Sequence, residues 1–181
     1  MRQEDRRPTL AVRELMPGDH APWLTLWESY NAFYDRKGVT ALAPEITQTT
    51  WQRFFDPGEP IHALVAELDG RLVGFAHLVF RRTTLSIPPA CYLQDLFTAE
   101  EARGCGVATN LIHAVVERAR AEGSELLYWQ TQETNARARA LYDRIAERSG
   151  FIIYRKRLEP SCGKRLKLNR SGKLDLLKEF R

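Results

Sequence analysis

The order of hydrophobic patterns predicts an α/β domain, a mixed central sheet with helices on both faces. Three observations carry it. Residues 91–98 and 126–131 are apolar on both sides, as strands covered from both faces are. Segment 107–119 is one-sided at helical spacing, segment 135–149 also reads as a helix, and both alternate with those strands. Asp69-Gly70 joins two alternating runs as a hairpin, which adds antiparallel strands to the sheet.

The elements follow in order. Residues 9–14 read as a short strand, punctuated by Pro17-Gly18-Asp19, where Asp19 is placed to cap a helix. Trp23, Leu26, Trp27, Tyr30, Phe33 and Tyr34 recur at helical spacing, mainly as a core stripe. A second short helix is expected over 46–55, after Pro44 and before Pro57-Gly58. Strands 61–67 and 72–80 flank the hairpin turn, and 91–98 makes the buried central strand. The helix from Val107 ends near Gly123, strand 126–131 follows, and helix 135–149 is stopped by Gly150. Residues 151–158 are expected to be the last strand.

Charge separates the body from the tail. The 181 residues carry net +4, yet residues 1–158 hold 20 basic and 20 acidic side chains, and residues 159–181 hold 7 and 3. The reading is one domain over 1–158 and a basic tail over 159–181, linked through Ser161-Cys162-Gly163. A neutral body argues against a nucleic-acid partner. No apolar run approaches the ~20 residues of a membrane span, and MRQEDRRP leads into no signal-like stretch. Three scattered cysteines suggest neither a disulfide framework nor a zinc site, and the four histidines have no ligand spacing, so a cytoplasmic protein without metal is expected.

The chemistry concentrates in Arg103-Gly104-Cys105-Gly106-Val107-Ala108, between a buried strand and an amphipathic helix. Two glycines let the backbone turn tightly, and the helix start presents free N–H groups and a positive dipole end, which suits phosphate. Arg103 adds a charge able to grip it. A P-loop is excluded because no Gly-Lys-Ser/Thr follows, and a dinucleotide site lacks its third glycine, replaced by Thr109. An acyl-CoA pyrophosphate loop and an ordinary glycine turn both remain. Downstream, Asn135 and Tyr142 lie seven apart on one helix face, with small Ala138 between them.

Arg103 to Ala108, taken with Asn135, Ala138, Leu141-Tyr142 and Gly150-Phe151, resembles the GNAT superfamily of acetyl-CoA-dependent N-acetyltransferases over about residues 9–158. Strand 92–98, the aromatic first helix and Trp129-Gln130-Thr131 resemble its histone and polyamine (diamine) acetyltransferase branch. Diamine acetyltransferases have a Glu, a favoured general base acting through water, where Gln94 stands here.

The resemblance implies the GNAT acyl-CoA N-acyltransferase fold and direct attack by a primary amine on the thioester of acetyl-CoA. The acceptor would be a polyamine-like small molecule or a protein lysine. Leu96, Phe97 and Thr98 would align the pantetheine arm and supply a backbone donor to the thioester carbonyl. Residues 103–108 would hold the pyrophosphate, and Asn135 would bind the pantetheine, cap its helix, or do both. Tyr142 would protonate the leaving thiolate as general acid, because a phenol is neutral at pH 7. The amine (about 10.4 for a lysine-like group) must also lose a proton. Asp95, the carboxylate in the buried part of the central strand, is either that base or the partner of a core arginine. Glu133, Glu28 and a water chain are the other candidates. Tyr30, Tyr34 and Asp35 are placed to border the acceptor site. His77 reads as a satisfied core histidine, and Cys105 as an inert thiol in the loop. A homodimer is a family-level expectation. The rival reading is a catalytically silent acyl-CoA-binding module, with Gln94 as its motive.

Overall fold

The computed structural model describes residues 8–158, 167–168 and 174–175. The chain divides into two compact units, Met1–Ile145 and Ala146–Arg181. The first contains a five-stranded sheet in the order β1-β2-β3-β4-β5: β1 (Leu10–Glu14), β2 (Ile61–Leu68), β3 (Arg71–Arg81), β4 (Ala90–Thr98) and β5 (Leu127–Trp129). The first four strands pair antiparallel, and β5 pairs parallel to β4, so the sheet is mixed. The hairpin turn is as expected: Asp69 and Gly70 both take positive φ, 51° and 77°, as a two-residue primed turn requires.

Helices cover both faces. On one lie α1 (His20–Phe33) and α2 (Pro44–Arg53), where Trp23, Trp27 and Tyr30 pack on Ala63, Val65 and Phe75. On the other lie α3 (Val107–Ala121) and α4 (Ala136–Ile145), where Leu111, Ile112 and Val115 pack on Ala76, Leu78 and Cys91. Alternation along β3 divides the cores, with Phe75 and His77 toward α1 and Ala76 and Leu78 toward α3. Gly74 of β3 allows close packing: a Cβ there would stand 2.6 Å from the Phe97 carbonyl oxygen and 3.0 Å from Val107.

Several local readings are corrected. Asp19 stands at the N-terminus of α1 but makes no cap; its carboxylate takes the Arg13 guanidinium at 2.6 and 2.8 Å. The same carboxylate also accepts the Met16 backbone N–H at 2.8 Å, so both its oxygens are engaged before the helix begins. Helix α4 stops at Ile145, short of Gly150, and residues 143–150 are all exposed. Residues 151–158 belong to no strand; Phe151 is 90% and Tyr154 88% exposed. Their β propensity is realised only where a ladder partner is available.

In the second unit, residues 146–158 form neither helix nor strand, and β6 (Lys167–Leu168) pairs antiparallel with β7 (Leu174–Asp175). The remainder of the expected basic tail lies outside the described residues.

Candidate active site

The site begins with a mismatch in strand length. β5 pairs with β4 only through Cys91, Leu93 and the residue between them, although β4 continues to Thr98. A bulge at the same point pairs His77 with Asp95 and Leu78 with Leu93, leaving Gln94 extra. Bulges bend and twist a strand. The edge of β4 over 94–98 therefore has no strand partner on the β5 side among the described residues. The gap opens into a cavity of about 610 Å³ between β4, the start of α3, the end of β5 and α4.

The expected cosubstrate residues converge there. Leu96, Phe97 and Thr98 line the cavity from β4, and Arg103, Gly104, Gly106, Val107 and Ala108 from the loop. Gly104 and Gly106 take φ of 87° and 80°, a left-handed backbone that favours glycine. Gly106 is the N-cap of α3 and provides no side-chain cap, so the first N–H groups of α3 remain available to an anion. The Thr98 hydroxyl is buried without a hydrogen-bond partner. These features fit the pyrophosphate and pantetheine of acetyl-CoA. Arg103 also pairs with the exposed Glu100 at 3.0 Å, a contact weak enough to yield to phosphate. Cys105 is exposed and does not line the cavity.

Both roles weighed for Asn135 are compatible. Its Oδ1 accepts from the Ala138 N–H at 3.3 Å, which caps α4, and the residue still lines the cavity. Tyr142 is half-buried, packs edge-on against Trp129 with ring centroids 5.4 Å apart, and lines the cavity. Burial first, and Tyr34 second, push its phenol up to about 12, so it is a neutral donor across the physiological range. Arg137 and Arg144 also line the cavity; their seven-residue spacing on α4 was the sequence signal that they share a face.

Tyr30 and Tyr34 line the opposite wall with Phe33, whereas Asp35 is exposed and does not line it. Gln94 lines the cavity, but Asp95 does not. Among the described residues no arginine meets the Asp95 carboxylate. Its partners are the Tyr30 hydroxyl, donating to Oδ1 at 2.5 Å, and His77 Nδ1, 3.0 Å from Oδ2. Glu28 and Glu133 are exposed and do not line the cavity.

The comparisons agree with this geometry. The family model described as "Acetyltransferase (GNAT) family" matches residues 23–146. The chain is 32% identical over 149 residues, covering 81% of itself and 90% of the relative, to the D-amino-acid N-acetyltransferase HPA3 of Saccharomyces cerevisiae. It is 28% identical, covering 79% of itself and 94% of the relative, to an uncharacterised N-acetyltransferase, YhfO, of Bacillus subtilis. Among solved structures, an aminoglycoside acetyltransferase, AAC(6')-Iy, in complex with a CoA-linked bisubstrate analogue superposes with a TM-score of 0.70 at 19% identity, over 83% of this chain and 99% of that one. Strand order, the opened β4, the glycine loop and these matches have one reading: the chain belongs to the GNAT family of acetyl-CoA-dependent N-acetyltransferases.

Proposed function

We propose that the protein transfers acetyl from acetyl-CoA to the primary amine of a small molecule, by direct attack, with Tyr142 as general acid. The observation that carries this is the single cavity shared by the unpaired half of β4, the anion-ready start of α3 and the Tyr142 phenol. Leu96 to Thr98 hold the pantetheine arm and offer a backbone donor to the developing oxyanion. Residues 103–108 take the pyrophosphate. Tyr142 gives its proton to the departing thiolate.

The acceptor end is aromatic, with Tyr30, Phe33 and Tyr34, which favours a cationic amine. The Arg36 guanidinium lies over the rings of Tyr30 and Tyr34, 5.4 and 5.2 Å from their centroids, and has no ion pair among the described residues. A carboxylate on the acceptor would supply one. Together with the D-amino-acid relative, this favours an amino acid over a polyamine or a protein lysine. The likeness to the polyamine branch rests on strand 92–98, the first helix and residues 129–131.

The test is CoA release from acetyl-CoA with D- and L-lysine, D-phenylalanine, spermidine, kanamycin and a lysine peptide. Faster release with free amino acids is expected. Preference for spermidine or the peptide would overturn the acceptor assignment, and no release with any amine would overturn transfer.

A further inference from the structure

The charge of Asp95 is surrounded by neutral donors, and the chain that holds it ends at the cavity. The Trp23 indole N–H can only donate, and it donates to His77 Nε2 at 3.1 Å. Nε2 therefore carries a lone pair, the imidazole is neutral, and its proton is on Nδ1, which donates to Asp95 Oδ2 at 3.0 Å. Tyr30 fills the other carboxylate oxygen. The side chains of His77 and Asp95 are 3% and 12% exposed. The other titratable groups toward this carboxylate are Tyr34 and Arg36, just beyond α1, and Tyr92 on β4. Arg36 lies over the Tyr30 and Tyr34 rings and forms no ion pair with Asp95. A largely buried carboxylate with no cation paired to it among the described residues is costly. It is also complementary to one species this reaction must accept, an ammonium that has to lose a proton.

We infer that Tyr30 is a catalytic residue that relays the acceptor's proton to Asp95, and that His77, locked by Trp23, is the residue positioning that carboxylate. The inference rests on the transfer reading above and supplies the base that Gln94 cannot be. In the relay one ammonium N–H bond breaks as a new Tyr30 O–H bond forms, while the original Tyr30 proton passes to Asp95 Oδ1. The freed lone pair forms the C–N bond and the C–S bond breaks. The thiolate leaves with the Tyr142 proton, and the second N–H proton restores Tyr142. After product departure Asp95 returns its proton through Tyr30 to solvent, so each turnover releases one proton. Burial and the adjacent Asp95 charge hold the Tyr30 phenol far above its ordinary value. It therefore passes a proton through in a concerted exchange and does not ionise beforehand.

The experiment compares kcat and KM from pH 7 to 10 for wild type, Tyr30→Phe, Asp95→Asn and His77→Gln, using the best acceptor of the amine panel. At pH 7 Tyr30→Phe and Asp95→Asn are each expected to lower kcat roughly 10²-fold, with the acetyl-CoA KM within about twofold of wild type. Their deficit should shrink toward pH 10, where an amine of about 10.4 deprotonates unaided. His77→Gln should give a smaller, roughly tenfold loss with the same pH signature. Wild-type kcat in Tyr30→Phe, or a deficit constant across pH, overturns the relay alone. A wild type that releases no CoA with any amine overturns transfer and relay together. Tyr30→Phe keeps the ring packing, so its melting temperature separates a fold defect from a chemical one.

Discussion

Asp95 and Tyr142 show how surroundings assign chemistry to ordinary side chains. The Asp95 carboxyl group is held by two partners, the Tyr30 hydroxyl and His77 Nδ1, and no arginine or lysine pairs with it among the described residues. The phenol keeps its proton because burial penalises phenolate. Under the proposed mechanism, Tyr142→Phe would remove the proton for the thiolate and little packing. It is expected to lower kcat about 10²-fold while leaving acetyl-CoA affinity within about twofold, read by calorimetry beside steady-state rates. Unchanged kcat would remove Tyr142 from its role. From sequence, Asp95 was recognisable as a carboxylate that needed a reason. Its partners were not, because Tyr30 and His77 lie 65 and 18 residues away in the chain.

At the scale of elements, the site depends on backbone shape. A Cβ at Gly104 would meet no atom within 4 Å, so Gly104→Ala carries only the cost of its positive φ, about 1–2 kcal/mol. The loop is expected to relax, and acetyl-CoA to bind more weakly. Equal Kd and melting temperature in the variant would show that the left-handed turn is dispensable. Gly74→Ala is a packing test, since its Cβ would press on the Phe97 carbonyl oxygen and Val107 at the junction of β3, β4 and α3. Overpacking of this kind costs about 1–3 kcal/mol, measured as a lower urea midpoint. Its effect should extend to turnover, because Phe97 borders the cavity. The turn glycines and the hairpin were legible in sequence as local chemistry. The early end of β5 and the bulge at Gln94 were not, because strand pairing is decided between segments.

Over the whole molecule, folding burial shifts several groups in one direction. Burial pushes the Cys91 thiol up to about 11, and Tyr142 stands at about 12. In the unfolded chain these groups release protons near 8.5 and 10. Between those values and the folded ones, the native state holds more protons than the unfolded state. Stability is therefore full below about pH 8.5 and is lost as pH rises through 11 to 12. Denaturant midpoints at pH 8, 9.5 and 10.5 should fall progressively, and less steeply in Tyr142→Phe. A flat profile in wild type would show that neither group is protected by the fold.

The sequence by itself determined the mixed sheet with helices on both faces, the phosphate-ready loop before α3 and the Asn135–Tyr142 face. Each is written in local spacing, glycine placement or periodicity, which neighbouring residues suffice to specify. Tertiary structure decided which strand edge stays open, that residues 151–158 join no ladder, and that Trp23, His77, Asp95 and Tyr30 form one chain of donors and acceptors. Those outcomes depend on partners brought together only when the α1 face and β3–β4 close on each other. A hydrogen bond across the core has no signature in the spacing of either residue.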